Sequence, residues 1–452
     1  MRDQLARRPL VVAATALALG LSSSFVPWHL LLGAALLLLL PDRRSRWCVV
    51  FSLGLGWLLR PMAPAQPVWE KHSDSLEGRI VSVPEDRTDA RRSLLDAGGK
   101  RYVLSTPRDV DVSFGDVVRV GGESGPLSEA SGYQHGAVGT LRAIGDVEVR
   151  SAGPFVGRWG LAVRDSFRRF IDRVLSPKDA ALVDAVAFNV TTDIDEADYS
   201  AMRRSGIVHV ISTSGVHVVL VASLLAMFAR RVPVPRPWSL AALAVLLVVY
   251  ACAAGLRPPM VRSVGMALLA LSAYLFRREP DGLSSMAGVS VVTLLADPWA
   301  VVDVGFWLSV VSVGGMVLFI DNFQPRERAR GPKDWLSSAL RTSGVASLAT
   351  LPVVGAVFGQ LALASPLANI VAVPASELLL VASLASWLLS LLVPVLGQGL
   401  LLISSGPLLG LLRGAAYAGA AFCPGVPSFS PYWCVWLYGV ALAFWRPFTR
   451  PA

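Results

Sequence analysis

The stretch "HVISTSGVHV", residues 209–218, concentrates polar side chains at the start of an apolar run. It contains His209, His217, Ser212 and Ser214, although the whole chain has only five histidines. Polar groups inside hydrocarbon are costly unless they face one another, other protein groups or a water-filled cavity. The stretch therefore indicates either a polar path through the protein or hydrogen bonds between helices.

The two histidines are eight residues apart, about two helical turns, so a continuous helix would place them near one face. The Ser-Thr-Ser-Gly sequence between them favours a local break, because hydroxyls compete for backbone hydrogen bonds and Gly215 permits non-helical angles. A serine hydrolase would need an oxyanion hole besides a base, and the sequence offers only a base. A metal site would need a third ligand, and the five histidines form no HxH or HxxxH pair, so we predict no metal.

A second polar group follows in "AGLRPPMVRSVG", which contains Arg257 and Arg262. The two prolines suit the first turn of a helix, where their missing N–H groups cost nothing. Helix N-termini attract anions, and arginine recognises phosphate well. We therefore hypothesise that this segment contacts a phosphate group. The alternative is that the apolar parts of the two arginine side chains lie in the membrane and their guanidinium groups extend to the membrane surface.

Two further segments carry isolated polar residues in apolar sequence. "DPWAVVDVGFWLSVVSVGG" contains Asp303 and Ser309, and the acid could pair with an arginine of the preceding segment. "TLPVVGAVFGQLALASPLANIVAVPASELLL" contains Gln360 and Asn369 between several prolines. Interrupted helices with inward polar groups are typical of pathways through membranes.

The composition indicates which kind of secondary structure holds these polar residues. Apolar residues make up 54% of the 452 residues and charged residues 16%, whereas soluble domains are about 45–50% apolar and roughly a quarter charged. Several apolar runs reach the roughly 20 residues that a spanning helix needs. The chain is therefore predicted to be a polytopic α-helical membrane protein. Its net charge of +9 does not by itself indicate nucleic acid, because cytoplasmic loops are rich in lysine and arginine anyway.

About twelve transmembrane helices are predicted, in an N-terminal part, residues 1–66, and a larger part, residues 201–448. Basic loops alternate so that both termini lie in the cytoplasm. Prolines near 366–374 and 394 indicate half-spans. The predicted spans are 9–25, 28–41, 47–62, 207–229, 238–255, 259–276, 283–300, 303–320, 340–361, 368–394, 397–420 and 431–446.

Two segments between these parts are not typical of spans. Residues 67–152 are charged and alternate in short β-type runs, and "DAGGK" indicates a hairpin, so a small extracytoplasmic β domain is predicted. Residues 153–200 include an amphipathic helix over 155–176, either lying at the membrane interface or packed against the β domain. Its basic residues are Arg158, Arg164, Arg168, Arg169 and Arg173.

The four cysteines form no CxxC motif, which excludes a zinc ribbon or thioredoxin-like site. Cys423 and Cys434 would lie near the outer ends of neighbouring spans, where a disulfide is chemically permitted, and we hypothesise one. Cys48 and Cys252 are interpreted as apolar packing residues.

The segments "SGIVHVISTSGVHVVLV", "AGLRPPMVRSVGMALLAL", "DPWAVVDVGFWLSVVSV" and "TLPVVGAVFGQLALASPLANIVAVPASELLL" occur in this order. Together they resemble the membrane competence domain of ComEC-type DNA-internalisation proteins. The charged insert with "SFGDVVRVGG" is similar to that family's oligonucleotide-binding (OB) type β-barrel. The resemblance covers nearly the whole chain from about residue 30.

The resemblance implies a channel that moves single-stranded transforming DNA across the cytoplasmic membrane during natural competence. It implies single-stranded DNA, membrane lipid, a DNA receptor, a separate nuclease and a cytoplasmic translocation ATPase as partners, and a homo-oligomer is a further hypothesis. Many family members carry a metallo-β-lactamase-like domain that this chain lacks, so we expect no nuclease activity and no cofactor. A transporter of a small-molecule or lipid-linked substrate on the same fold is the main alternative, and an intramembrane hydrolase is a weaker one.

Overall fold

The structure is a computed structural model, and the part of the chain that it describes is mostly helical with one β-sheet. The described residues are 9–22, 43–58, 75–82, 84–86, 90–107, 110, 112–126, 137–153, 155–211, 215–229, 235–276, 278–279, 281–323, 331–358 and 362–423. The spans predicted near 28–41 and 431–446 lie outside these residues.

Five strands of the sheet form a closed ring. The strands are β1 (Leu76–Ile80), β2 (Glu85–Asp86), β3 (Arg91–Ala97), β4 (Lys100–Thr106), β5 (Val117–Gly125) and β6 (Ala137–Ser151). Their order is β1-β5-β6-β4-β3-β2, and β1 also pairs with β3, which closes the ring and leaves the short β2 outside it. β4 and β6 run parallel, whereas the other paired strands are antiparallel.

The alternation of apolar and polar residues explains why this segment forms a barrel. Residues such as Ile80, Leu104 and Leu141 point inward and are fully buried in one cluster, as the period of two in a strand requires. The predicted hairpin at "DAGGK" is confirmed, since β3 and β4 are joined by Gly98 and Gly99. Both glycines have positive φ, 62° and 82°, as a two-residue type I′ turn demands.

The remaining elements are helices. They are α1 (Pro9–Ser22), α2 (Arg43–Leu58), α3 (Phe155–Val174), α4 (Pro177–Phe188), α5 (Glu196–Ser205), α6 (Val208–Ile211), α7 (Gly215–Ala229), α8 (Arg236–Ala253), α9 (Pro258–Leu275), α10 (Gly282–Ala296), a 3-10 helix (Pro298–Val302), α11 (Val304–Phe323), α12 (Pro332–Phe358), α13 (Ser365–Leu392) and α14 (Pro394–Ala420).

Among the described residues, three helices are long and apolar enough to cross a membrane: α12, α13 and α14. Parts of α1, α2, α8, α9, α10 and α11 form shorter apolar helices. The half-spans predicted near the prolines differ from the structure. Pro374 lies inside the continuous α13 and Pro394 begins α14, because proline suits a first helical turn and is tolerated inside apolar helices whose neighbours satisfy the freed groups.

The main core joins α3 and α4 to the apolar helices. The Phe167 and Phe188 rings meet edge to face with centroids 5.2 Å apart, and Phe188 also faces Tyr250 of α8 at 5.9 Å. The Tyr250 hydroxyl donates to the Ala187 carbonyl at 2.9 Å, which satisfies its polar end. The apolar face of α3 is therefore largely covered by protein, although Trp159 remains exposed.

In the described part of the chain, ion pairs join the barrel to the helices. Asp116 is almost completely buried, accepts hydrogen bonds from the Ser113 and Gly153 backbone amides, and lies 3.4 Å from the Arg158 guanidinium of α3. On the other side, Arg101 of β4 lies 3.2 Å from Asp297, which caps the 3-10 helix. The barrel is thus held against α3 and the turn between α10 and α11.

Candidate functional site

The two histidines of the opening stretch lie in different environments. His209, in α6, is exposed, and its Nδ1 lies 3.0 Å from the Gly206 carbonyl. His217, in α7, is only 2% exposed. Ser212 and Ser214, predicted to line a polar path together with the two histidines, lie outside the described residues. The two histidines therefore differ in their exposure to solvent.

A chain of polar groups links this stretch to α12 and α13. The Ser365 hydroxyl lies 3.4 Å from the Gly206 carbonyl, and the Asn369 amide donates to Ser365 at 3.3 Å and to Ser343 at 2.8 Å. The Oδ1 atom of Asn369 is buried and has no hydrogen-bond partner among the described residues. Asn369 is thus linked to Gly206 through Ser365. Gln360 lies outside the described residues.

Gly206 makes this close approach possible. It ends α5 in the left-handed region, with φ of 76°, and a Cβ atom there would lie 2.5 Å from the Ala362 Cβ. Only glycine adopts this conformation freely and leaves room for the start of α13.

Gly206→Ala is therefore expected to destabilise the protein by about 2–4 kcal/mol, from left-handed strain together with steric overlap. Thermal unfolding of the detergent-solubilised protein measures this. Gly414→Ala is the matched control, because no atom lies within 4 Å of a Cβ at that exposed helical position. Equal unfolding temperatures for the two variants would contradict this account of the turn.

Among the predicted path residues that the structure describes, Arg262 is the most deeply buried. It is 1% exposed, its Nη2 donates to the Gly305 carbonyl at 2.6 Å, and its guanidinium carbon lies 5.3 Å from the Phe306 ring centroid. The Asp303 carboxylate accepts a hydrogen bond from the Gly305 backbone amide at 2.8 Å. Its negative charge also attracts the Arg262 guanidinium. Arg262 and Asp303 form no ion pair with each other in the described structure; each instead contacts the backbone of Gly305 at the start of α11.

The other predicted residues are dispersed over the helices. Gly215 is exposed at the start of α7, and Ser309 is half-buried on α11. Arg257 is half-buried and lines a small pocket beside α3. Cys252 is buried, which agrees with a packing role, and Cys434, the predicted disulfide partner of Cys423, lies outside the described residues.

The arginines of α3 divide into three kinds. Arg158 and Arg168 contact acids: Arg158 lies near Asp116, and Arg168 pairs with Asp193 and lies 3.6 Å from Asp184. Arg164 is 5% exposed, although it belongs to the polar face of the helix. Arg169 and Arg173 are exposed. This face is therefore partly covered by α4 and the loop that follows it.

A second charged cluster was not predicted. Arg413, in the apolar α14, lies 2.7 Å from Asp179 of α4 and 2.9 Å from Asp198 of α5, and Tyr417 donates to Asp198 at 2.8 Å. Lys178 and Asp195 form a further pair at 2.7 Å. The cluster fixes α14 against the helices that lead into the polar stretch. An arginine within a long apolar run was the available signal.

The comparisons with known proteins define the class. The family described as "Competence protein" matches residues 186–450, more than half of the chain. The match includes the polar stretch, the Arg262 cluster, and α13 and α14. The chain belongs to this family of competence proteins.

Individual relatives agree with this assignment. The chain is similar to "Competence protein ComA" of Neisseria gonorrhoeae, with 29% identity over 72% of this chain and 50% of that protein. It is also similar to "Recombination protein 2" of Haemophilus influenzae, with 28% identity over 44% of this chain, and to "ComE operon protein 3" of Bacillus subtilis, with 23% over 47%. Each of these two alignments covers 27% of the relative, so the chain spans half or less of the curated relatives that it matches. No solved structure matches the chain.

Proposed function

We propose that this protein is the membrane channel through which single-stranded transforming DNA crosses the cytoplasmic membrane. The observation that carries the proposal is the family match over residues 186–450, which coincides with the part of the chain where polar groups lie inside apolar helices. Competence-protein relatives imply a role in DNA uptake. The movement of one strand through this chain is the step that we add.

The hydrogen-bonding groups between α5, α12 and α13 suit such a path. Ser343, Ser365 and Asn369 are uncharged and can exchange partners, and Asn369 keeps one acceptor without a partner among the described residues. Conduction requires binding that is strong enough for entry and weak enough for exit. Neutral hydroxyl and amide groups meet this requirement better than a ring of lysines.

We further propose that the β domain is an extracytoplasmic OB-type barrel that receives the strand. Five strands in a closed ring, with one parallel pair, support this, since OB folds are five-stranded barrels that bind oligonucleotides. The multi-pass arrangement of about twelve spans, with both termini in the cytoplasm, belongs to the same proposal. A DNA receptor, a separately encoded nuclease and a cytoplasmic ATPase would supply capture, strand degradation and driving force, and the chain itself would act without nuclease activity.

The test is a clean deletion of the gene in a transformable host. Transformation should fall to the background of spontaneous mutation, while binding of double-stranded DNA at the cell surface persists, because the channel acts after capture. A plasmid copy should restore transformation. Normal transformation in the deletion strain would contradict the proposal, and loss of an unrelated solute flux would favour the small-molecule transporter.

A further inference from the structure

A small pocket lies where the barrel, α3 and the membrane helices meet. Its lining comes from four separate parts of the chain: the loop after β1, helix α3, the end of α4 with its following loop, and the turn between α8 and α9. The lining residues are Pro84, Arg164, Phe188, Asn189, Val190, Thr192, Ala254, Gly255 and Arg257. The pocket thus lies between the domain proposed to receive DNA and the helices proposed to conduct it.

Two polar atoms at this pocket are buried without a partner. The Nε atom of Arg164 has no hydrogen-bond partner among the described residues, although the side chain is only 7% exposed to solvent. The Asp165 carboxylate lies 3.8 Å from this atom. The Thr192 hydroxyl is also buried without a partner in the described structure. An unsatisfied buried donor costs about 1–3 kcal/mol, and more when it is charged, so a ligand that accepts these hydrogen bonds would remove the cost.

The charges of the lining favour an anion. Arg164 and Arg257 bring two guanidinium groups to the pocket, and none of its nine lining residues is acidic. Asp184 also contributes an attractive charge to Arg164, but burial raises the pKa of this acid to about 7, so at neutral pH it is only partly ionised. Arginine presents a planar set of donors that matches two phosphate oxygens at once.

We propose that this pocket binds one phosphate group of the single-stranded DNA as the strand passes from the barrel to the helices. Arg164 and Arg257 would bind the phosphate oxygens, and the Thr192 hydroxyl would donate a further hydrogen bond. This inference rests on the proposed function. A lipid phosphate fits less well, because it brings acyl chains, and the apolar lining residues Phe188 and Ala254 are buried in the core instead of forming an exposed apolar surface.

The test measures binding of a fluorescent oligothymidine to the full chain in nanodiscs over a series of salt concentrations. Arg164→Gln and Arg257→Gln should each weaken binding by roughly 3- to 10-fold and reduce the slope of log affinity against log salt by about 0.7, the value for one phosphate contact on a single strand. Thr192→Val, which conserves volume in the pocket, should weaken binding by roughly twofold without changing the slope.

Arg278→Gln is the matched control, because Arg278 is exposed just beyond the opposite end of α9 from Arg257. It should leave affinity and slope unchanged. Thermal unfolding shows whether each variant folds. If Arg164→Gln, the substitution at the buried position, does not fold, the Arg257→Gln and Thr192→Val variants decide the result.

Three outcomes would overturn the inference. If the parent protein binds the oligonucleotide and the pocket variants bind it equally, the pocket is not a phosphate site, although the proposed function stands. If the parent protein does not bind the oligonucleotide, the inference and the DNA path fail together. If the variants lose co-purified phosphatidylglycerol but keep full oligonucleotide affinity, the pocket is a lipid site.

Discussion

Arg413→Met is expected to destabilise the folded protein by about 2–3 kcal/mol, because it removes two charge-assisted hydrogen bonds from a partly buried cluster. Arg413 forms ion pairs with both Asp179 and Asp198, at 2.7 and 2.9 Å, and the side chain of Asp198 is only 10% exposed. Without the guanidinium, two carboxylates remain close together with reduced access to water. Removing one partner of such a cluster costs more than the cluster contributes when intact.

Thermal unfolding of the purified protein, with the folded yield after solubilisation, measures this effect. Arg413→Lys should fall between the parent and the methionine variant, because a lysine ammonium is a single point charge that does not match both acids as the guanidinium does. Tyr417→Phe should cost less, since it removes one hydrogen bond and leaves both ion pairs. If Arg413→Met has the stability of the parent, α14 is not held to α4 and α5 by this cluster.

The titration of Asp184 alone is expected to lower the free energy of unfolding by about 2 kcal/mol between pH 5 and pH 7. Burial raises the pKa of this carboxyl from 3.8 to about 7, and the nearby guanidinium groups of Arg168 and Arg164 offset only part of the effect. At pH values between these two pKa values, Asp184 is protonated in the folded protein and ionised in the unfolded chain. The contribution is therefore complete below about pH 4 and decreases as the pH rises towards 7.

Asp184→Asn isolates this contribution, because the variant cannot titrate at this position and shares every other group with the parent. Unfolding of both proteins is measured at several pH values between about 5 and 8. The variant should gain stability relative to the parent as the pH rises and then keep a constant difference. A difference that is already constant from pH 5 would show that Asp184 is ionised in the folded state throughout this range.

The carboxyls of Asp179 and Asp195 do not obscure this result. Arg413 and Ser176 stabilise the charged form of Asp179, whose pKa lies below its usual value although its partial burial opposes the shift, and Lys178 lowers the pKa of Asp195. A lowered carboxyl pKa gives stability that is present above the ordinary value and is lost as the pH falls further. These groups therefore act below about pH 4, outside the range in which Asp184 titrates.

The secondary-structure elements that depend only on residues close together in the chain could be predicted from the sequence. The alternation in residues 67–152 and the "DAGGK" turn predicted a β domain and its hairpin, because strand period and turn chemistry are encoded over a few residues. The predicted spans at 368–394 and 397–420 correspond to α13 and α14, since an unbroken apolar run leaves the chain few alternatives. The β3–β4 hairpin and these two helices therefore required no long-range information.

The long-range contacts could not be predicted. Asp179 and Asp198 lie more than 200 residues before Arg413, and no spacing rule joins them. The periodicity of α3 placed Arg164 on its polar face, but it could not show that the loop after α4 covers that face. The sequence left two roles open for Arg262, a phosphate contact or an arginine that reaches the membrane interface, and it could not show that Arg262 donates a hydrogen bond to the Gly305 carbonyl at the start of α11.

The fate of a labelled DNA strand tests the central claim most directly. Transformable cells that lack only this protein are given DNA labelled along its length, treated with an external nuclease, and separated into surface and cytoplasmic fractions. We predict that label binds the surface but that no nuclease-resistant single strand reaches the cytoplasm, and that a plasmid copy of the gene restores its arrival. Equal amounts of cytoplasmic single strand with and without the protein would contradict its role as the channel.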